Sequence, residues 1–313
     1  MQRRTLFALL ATPAIARAQD RSVRLVVPFS AGGNTDAIAR VLAPRMAELL
    51  GQPVLVENRP SASGVIGAEY VSRATPDGQT LMMHDTTFPV MPALHKRLPF
   101  DVETGFTLLG CQAAGPTTMV VRANLPAQNL REVVALARAN PGTVSYATGS
   151  TGGTAHLAGL LLEQVAGIRL NHLAYAGAGQ AMNDLAGGHI DMTFSALSSV
   201  QSLVESGKVR AIATSGAQRL PTAPNLPTFR ESGVDVVVSA NWCSYAPPGT
   251  PPAAAARLAE ALAGAIATPA INAELTRRGF VPLHIPASGH AASLHAEVTQ
   301  WGAVIRRAGI QPE

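Results

Sequence analysis

Two glycine-rich loops, each between an apolar strand and the start of a helix, constrain this chain most. The first follows Val23–Phe29 and runs Ser30-Ala-Gly-Gly-Asn-Thr-Asp36; the second follows Val144–Thr148 and runs Gly149-Ser-Thr-Gly-Gly-Thr154. Glycine lets a backbone turn tightly and approach a ligand, and the helix that follows presents unpaired N–H groups with a partial positive charge. More than a hundred residues separate the loops. They predict one anion held between two domains.

The first 18 residues have the order of a secretory signal peptide. Arg3 and Arg4 precede the apolar run Leu6–Leu10, and the small-residue site Ala16-Arg-Ala18 follows. The apolar run is too short to span a bilayer. We therefore expect cleavage after Ala18 and a periplasmic mature chain. The general secretory route and, because of the paired arginines, the twin-arginine route both remain open.

The charge balance argues against a nucleic-acid partner. The formal net charge is +4, from 24 basic and 20 acidic residues. Arg3, Arg4 and Arg17 belong to the leader, which leaves 21 basic and 20 acidic residues in the mature chain. Aromatic residues make up 4% of the chain, and they do not alternate with basic ones. We therefore expect no nucleic-acid partner. We also expect that the protein has no cofactor and no metal and that it is a monomer.

Strand-like and helix-like segments alternate along the mature chain, which predicts parallel sheets covered by helices in two α/β domains. The alanine-rich and leucine-rich helices at the C-terminus are expected to pack back on the first domain. The expected division is therefore residues 19–122 plus 244–313 for domain 1 and 123–243 for domain 2, with a two-stranded hinge around Val120–Arg122 and Asn241–Tyr245. The predicted strands are Val23–Phe29, Val54–Glu57, Thr80–His84, Val144–Thr148, Leu170–Tyr175, Ile190–Phe194 and Val209–Thr214.

The first loop offers two interpretations for its carboxylate. Asn34 or Thr35 is expected to cap the long helix that follows, with Asp36 in its first turn. Asp36 is then either a partner of the helix dipole or a group that orients water or binds a ligand ammonium. The hydroxyl groups of the second loop suit a carboxylate, which accepts several hydrogen bonds. That loop lacks the Gly-Lys-Ser/Thr ending of a phosphate-binding loop.

Enzymatic and metal-binding alternatives have weaker support. Ser150 has His156 six residues on, but no Gly-x-Ser-x-Gly elbow surrounds it, so a serine hydrolase is the least favoured function. His156 is either a structural helix residue or a ligand contact. The other histidines lack the spacing of a zinc site. Cys111 and Cys243 either form one disulfide or lie buried as small apolar side chains.

A series of short motifs in order along the chain resembles a known family. The motifs are Pro28-Phe29-x-x-Gly32-Gly33-x-x-Asp36-x-x-Ala39-Arg40, Val56-Glu57-Asn58-Arg59-Pro60, Gly64-x-Ile66-Gly67-Ala68, Pro76-Asp77-Gly78-x-Thr80-Leu81, Asn140-Pro141-Gly142, Gly153-Thr154-x-His156-Leu157, Tyr175-x-Gly177, Asp184-Leu185-x-x-Gly188, Gly207-Lys208-Val209-Arg210-Ala211 and Leu226-Pro227-Thr228. The chain thus resembles the periplasmic solute-binding component of tripartite tricarboxylate transporters, the Bug family.

The resemblance implies a type II periplasmic-binding-protein fold that closes on a small organic acid. It implies that the two glycine-rich loops grip the carboxylate, partly through ordered waters, and that Thr86, Thr87, Ser195 and Leu197 lie near the distal end of the ligand. The residues expected to bind the ligand are Phe29, Ser30, Ala31, Gly33, Asn34, Thr35, Asp36, Thr86, Thr87, Thr148, Gly149, Ser150, Thr151, Gly152, Gly153, Thr154, His156, Tyr175 and Ser195.

The chain departs from the family pattern at two places. Ala31 stands where the family commonly has proline, and Ala174-Tyr-Ala-Gly177 stands where it has Pro-Tyr-Lys-Gly. Without that lysine, a monocarboxylate or an aromatic acid is favoured over a multiply charged ligand such as citrate. We expect a non-enzymatic binding protein that delivers its ligand to the membrane permease subunits. A receptor that signals to a membrane sensor kinase is the alternative.

Overall fold

The computed structural model describes residues 22–61, 63–149, 151–175 and 178–312. The strands in these ranges are β1 (Val23–Val27), β2 (Val54–Asn58), β3 (Thr80–His84), β4 (Thr107–Pro116), β5 (Thr118–Arg122), β6 (Ser145–Thr148), β7 (Asn171–Ala174), β8 (Met192–Ser195), β9 (Val209–Thr214), β10 (Ser239–Ala246) and β11 (Val281–Ile285). The helices are α1 (Asn34–Leu50), α2 (Val65–Ser72), α3 (Thr87–Leu94), α4 (Leu130–Ala139), α5 (Thr154–Ala166), α6 (Ala178–Ala186), α7 (Leu197–Glu205), α8 (Pro252–Ile266), α9 (Pro269–Arg277) and α10 (Ala287–Arg307). Each predicted strand overlaps an observed one.

The first sheet has six strands in the order β11-β4-β10-β3-β1-β2. β1 runs parallel to β2 and β3, whereas β10 runs antiparallel to β3 and β4. Successive side chains of a strand point to opposite faces. Leu25 therefore packs in a core with residues of α1 and α8, and Val26 in a core with residues of α2 and α3. Burial of both faces explains why β1 is apolar at every position except the exposed Arg24.

The second sheet has five strands in the order β7-β6-β8-β5-β9. β6 runs parallel to β7 and β8, and β5 runs antiparallel to β8 and β9. Val121 packs on the side of α4 and α5, and Val120 on the side of α6 and α7. Each sheet is thus a layer between helices, and the molecule has a two-domain mixed α/β fold.

The chain passes between the two sheets at Thr117 and returns between Thr214 and Ser239. Hydrogen bonds join the two crossing segments. The Thr117 N–H donates to Ser215 Oγ (3.0 Å), and the Ser215 N–H donates to the Thr117 carbonyl oxygen (2.7 Å). The Val238 N–H donates to the Ser215 carbonyl oxygen (2.9 Å). Ser215 therefore connects the outgoing segment to the returning one.

The sheets divide the chain at slightly different points from those expected. β5 belongs to the second sheet and β10 to the first, so residues 118–122 and 239–243 lie on the opposite side of the expected boundaries. Both strands are antiparallel to their neighbours. An alternation of strands and helices does not tell which sheet such a strand joins. We therefore propose residues 22–116 and 239–312 for domain 1 and 118–214 for domain 2.

The last helix contacts both domains. α10 packs on α3 and β4 of the first domain, as the sequence predicts. Its C-terminal part also contacts α5, and Trp301, Val304 and Ile305 belong to the core of the second domain. The Gln164 side chain donates a hydrogen bond to the Val304 carbonyl oxygen (2.9 Å). α10 is thus a third connection between the domains that alternation along the sequence does not show.

Among the described helices, none combines the length and the apolar composition needed to cross a membrane. α8 and α9 have the required length and apolar composition only when they are taken together, and the two helices meet at an angle of 69°.

A disulfide joins the two strands next to the crossing segments. Cys111 on β4 and Cys243 on β10 lie directly opposite each other and are bonded through their sulfur atoms. The bridge closes a sequence separation of 132 residues, which includes the whole second domain. Of the two interpretations that the sequence leaves open for these cysteines, the structure shows the disulfide.

We expect the double substitution Cys111→Ser with Cys243→Ser to lower the free energy of unfolding by about 2–5 kcal/mol. The reason is that the unfolded chain regains the freedom of a long loop. Urea denaturation of the oxidised wild type, the reduced wild type and the double variant measures the effect. The reduced wild type and the variant should unfold at similar urea concentrations, and equal midpoints for all three proteins would contradict the prediction.

Candidate ligand-binding cleft

The first glycine-rich loop is braced from within by Asp36. Its carboxylate accepts hydrogen bonds from the Gly32 N–H (2.9 Å), from Asn58 Nδ2 (2.9 Å) and from Arg40 Nε at both oxygens (3.0 and 2.9 Å). Gly32 has a φ of +84°, a conformation that glycine adopts without strain. Burial alone would raise the pKa of Asp36, but the hydrogen bonds from Arg40, Gly32 and Asn58 outweigh it and lower the pKa overall. Asp36 therefore holds the loop in shape.

The helix cap of this loop differs from the expectation. Gly33 is the N-cap of α1, and no side chain accepts a capping hydrogen bond there. Thr35 instead accepts a hydrogen bond from Trp242 Nε1 (3.0 Å), and Asn34 is the first residue of the helix. The expected capping by Asn34 or Thr35 is therefore wrong. The N–H groups at this helix terminus are left without a side-chain cap.

The second glycine-rich loop is braced by two stacked histidines. The Gly152 N–H donates to His156 Nδ1 (3.0 Å), and Thr148 Oγ1 lies 2.7 Å from His172 Nε2. The two imidazole rings stack with centroids 4.3 Å apart. Burial, with a smaller effect of His172, lowers the pKa of His156 to about 4. His156 is thus a neutral structural residue of the loop at physiological pH.

The N-termini of α1 and α5 open into one cavity between the sheets, with a volume of about 200 Å³. Asn34 lines it from the first domain, and Thr154 and Ala155 from the second. Residues of the antiparallel strands β4 and β10 and of the crossing segment also line it. The lining residues are Asn34, Asp85, Gly115, Pro116, Thr117, Thr154, Ala155, Phe194, Ser195, Ala196, Ala240, Trp242, Gly279 and Phe280.

The expected binding residues fall into three groups. Asn34, Thr154 and Ser195 line the cavity. Phe29 and Thr86 lie outside the lining: the Phe29 ring lies 5.0 Å from the ring of His84, and Thr86 accepts a hydrogen bond from the Asn241 N–H (2.8 Å). The remaining described ones outside the cavity lining are Ser30, Ala31, Gly33, Thr35, Asp36, Thr87, Thr148, Gly149, Thr151, Gly152, Gly153, His156 and Tyr175. Ser150 lies outside the described residues.

Several cavity residues were missed by sequence reasoning. Asp85 and Phe194 come at the carboxyl ends of the predicted strands Thr80–His84 and Ile190–Phe194, where ligands of α/β sheets usually bind, so this position could have found them. Trp242 and Phe280 belong to β10 and to the turn before β11. No motif in the sequence marks these two aromatic residues.

No lysine, arginine or histidine is among the described residues that line the cavity, and Asp85 is their single charged side chain. An anion would therefore be held there by backbone N–H groups, hydroxyl groups and helix dipoles.

Two other features are less suited to hold a ligand of this kind. A larger depression, of about 880 Å³, runs along α2 and begins at Ser22, the first described residue. It contains none of the expected binding residues.

Within the described chain, Cys111, Cys243 and His290 form the one group with the spacing of a metal site. The disulfide leaves no thiolate there, and His290 Nδ1 already accepts the Gly110 N–H (3.0 Å).

The profile of the tripartite tricarboxylate transporter family receptor matches residues 38–310. The chain belongs to this receptor family. A UPF0065 protein of Bordetella pertussis is 33% identical over 318 residues, which cover 100% of this chain and 98% of that protein. The periplasmic binding protein BugD shares 33% identity with a TM-score of 0.80, covering 93% of this chain and 99% of that chain. R. palustris Rpa4515, solved with adipate, shares 30% identity with a TM-score of 0.83, covering 93% and 98%.

Membership in this receptor family confirms the resemblance that the sequence motifs carry, and with it the two-domain fold of a periplasmic binding protein. The family consists of solute-binding receptors and not of enzymes, in agreement with the non-enzymatic role expected from the sequence.

We expect Asp36→Asn to destabilise the receptor by about 1–3 kcal/mol at pH 7, because the hydrogen bonds to a charged group are weakened. The folded-state pKa of Asp36 lies below its unfolded value, so this stabilisation is present above the unfolded pKa and is lost as pH falls through the folded pKa. The difference in urea midpoint between variant and wild type should therefore shrink at acidic pH.

The surface variant Asp77→Asn is the control for this pH series. Its carboxylate accepts one exposed hydrogen bond, from the Gln79 N–H (2.9 Å). A difference between Asp36→Asn and wild type that stays constant from pH 7 to pH 3 would show that the charge of Asp36 does not brace the loop.

Proposed function

We propose that this receptor captures a small carboxylate in the cavity between its two sheets. The observation that carries the proposal is that α1 and α5 begin at this cavity from opposite domains, with Asn34 and Thr154 in its lining. Two helix N-termini aimed at one small space favour an anion. Adipate in Rpa4515 supports a carboxylic acid as the ligand class.

The cavity walls supply hydrogen-bond donors without a cation. The hydroxyl groups of Thr117, Thr154 and Ser195 belong to the lining, and each can donate to a carboxylate oxygen. Charge-assisted hydrogen bonds of this kind gain strength where water is excluded. Affinity would then depend on closure of the domains around the ligand, because an open cleft leaves these donors in contact with water.

The proposal extends to a transport cycle. The two crossing segments joined at Ser215 form the hinge, and the closed form docks on the membrane permease subunits of a tripartite transporter. The family profile supports such a partner. The relative BugD is a periplasmic binding protein, which supports export of this chain. The proposed signal peptide, residues 1–18, lies outside the described residues.

A thermal-shift screen of the mature protein against small carboxylic acids and their amides tests the proposal. A ligand that binds only the folded protein stabilises it by about 2.7 kcal/mol at a hundredfold excess over Kd. We expect hits that require a free carboxylate. We also expect Ala155→Leu, which fills the cavity at the N-terminus of α5, to abolish the shift.

Ala256→Leu, the same substitution at an exposed position of α8, is the matched control and should keep the full shift. A carboxylate that stabilises Ala155→Leu as strongly as wild type would place the binding site elsewhere. A flat screen with protein shown to be free of retained ligand would contradict carboxylate capture altogether.

A further inference from the structure

Among the described residues that line the proposed binding cavity, one is charged, and it is acidic. Asp85 follows β3 directly and precedes α3, at the carboxyl edge of the first sheet. Its side chain is 23% exposed and lines the cavity. A carboxylate is an unexpected neighbour for a carboxylate ligand, because like charges in a small space repel.

One oxygen of Asp85 is occupied and the other is open. Oδ1 accepts hydrogen bonds from the Thr87 N–H (2.9 Å) and from Thr87 Oγ1 (2.5 Å). These bonds fix the orientation of the carboxylate and favour its ionised form. None of the described residues donates a hydrogen bond to Oδ2. This second oxygen is left for a donor on the ligand.

His84 contacts Asp85 from the preceding position of the chain and does not line the cavity. The Asp85 N–H donates to His84 Nδ1 (2.9 Å), and His84 Nδ1 lies 3.4 Å from Asp85 Oδ1. No lysine, arginine or histidine is among the described residues that line the cavity with Asp85. A cationic group at Oδ2 would therefore have to come from the ligand.

The rest of the wall suits a cation beside the carboxylate. Trp242, Phe280 and Phe194 are among the residues that line the same cavity, and aromatic side chains can attract ammonium groups. A partly buried charge such as that of Asp85 is stabilised most by a hydrogen-bonded group of opposite charge. The cavity thus has an anion-binding end at the two helix N-termini and a cation-binding group in its wall.

We propose that the ligand of this receptor is a zwitterion of the amino-acid type, whose ammonium group binds Asp85 Oδ2 while its carboxylate binds at the N-termini of α1 and α5. The inference rests on the proposed function and narrows its ligand class. Asp85 also repels a second carboxylate, which in a cavity of about 200 Å³ cannot lie far away. Dicarboxylates are therefore rejected, in contrast to the adipate complex of Rpa4515.

Isothermal titration of the full mature protein tests this selectivity with matched probes. A panel of α- and ω-amino acids is compared with the deaminated acid, the N-acetylated acid and the dicarboxylate of equal length. We expect the best-bound amino acid to lose at least about tenfold in affinity when its amine is removed or acetylated, since about 1.4 kcal/mol corresponds to a factor of ten. The matched dicarboxylate should bind more weakly still.

Asp85→Asn keeps the acceptor for Thr87 and removes the charge. The substitution should lower the affinity for the amino acid by a similar factor and raise the affinity for the dicarboxylate. The order of preference between the two ligands is then reversed. Asp101→Asn is the matched control, because Asp101 Oδ1 also accepts two N–H groups of the following turn (2.8 and 2.7 Å) but lies outside the cavity lining. The control should keep wild-type selectivity.

The outcomes separate the two proposals. Wild-type protein that binds deaminated acids or dicarboxylates as well as amino acids overturns the role of Asp85 and leaves carboxylate capture intact. If the protein binds no acid in any form, both the role of Asp85 and carboxylate capture are overturned. The wild-type comparison needs no variant, so the proposal stays testable even if Asp85→Asn does not fold.

Discussion

The structure depends on how its chain passes between two sheets. A helix that follows a parallel strand begins at the carboxyl edge of its sheet, so each glycine-rich loop lies at the edge of one domain. A single helix N-terminus is a weak anion site on a surface. The crossing segments at Thr117 and Ser215 bring two such edges face to face. The binding cavity is therefore a product of the connection between domains and not of either domain alone.

Within each loop, the residues with the most distinctive chemistry support the backbone. Asp36 and His156 each accept an N–H group of their own loop, from Gly32 and Gly152. Their polar atoms hold the shape of the loop, while Asn34 and Thr154 are the described loop residues that line the cavity. A motif of this kind predicts where an anion binds without stating which anion. In our proposal, the identity of the ligand depends on wall residues such as Asp85 that belong to neither loop.

Much of the fold could be predicted from the sequence, because strands such as β1 and β3 are short apolar runs followed by helical periodicity and turn residues. β4 and β11 were not predicted, and β5 was expected only in part, as the hinge segment Val120–Arg122. All three strands pair antiparallel with strands that are distant in the sequence, and local patterns carry no information on distant pairing. Of the two loops expected to bind the ligand, Asn34 and Thr154 line the cavity, whereas Trp242 and Phe280 reach it only through tertiary packing.

The last helix sets a limit on motion. A helix of 21 residues is a stiff rod of roughly 30 Å, and α10 has its first half on one domain and Trp301, Val304 and Ile305 in the core of the other. Separation of the domains at this end would expose these three side chains to water. Their burial therefore opposes wide opening, and α10 limits how far the two halves can move apart.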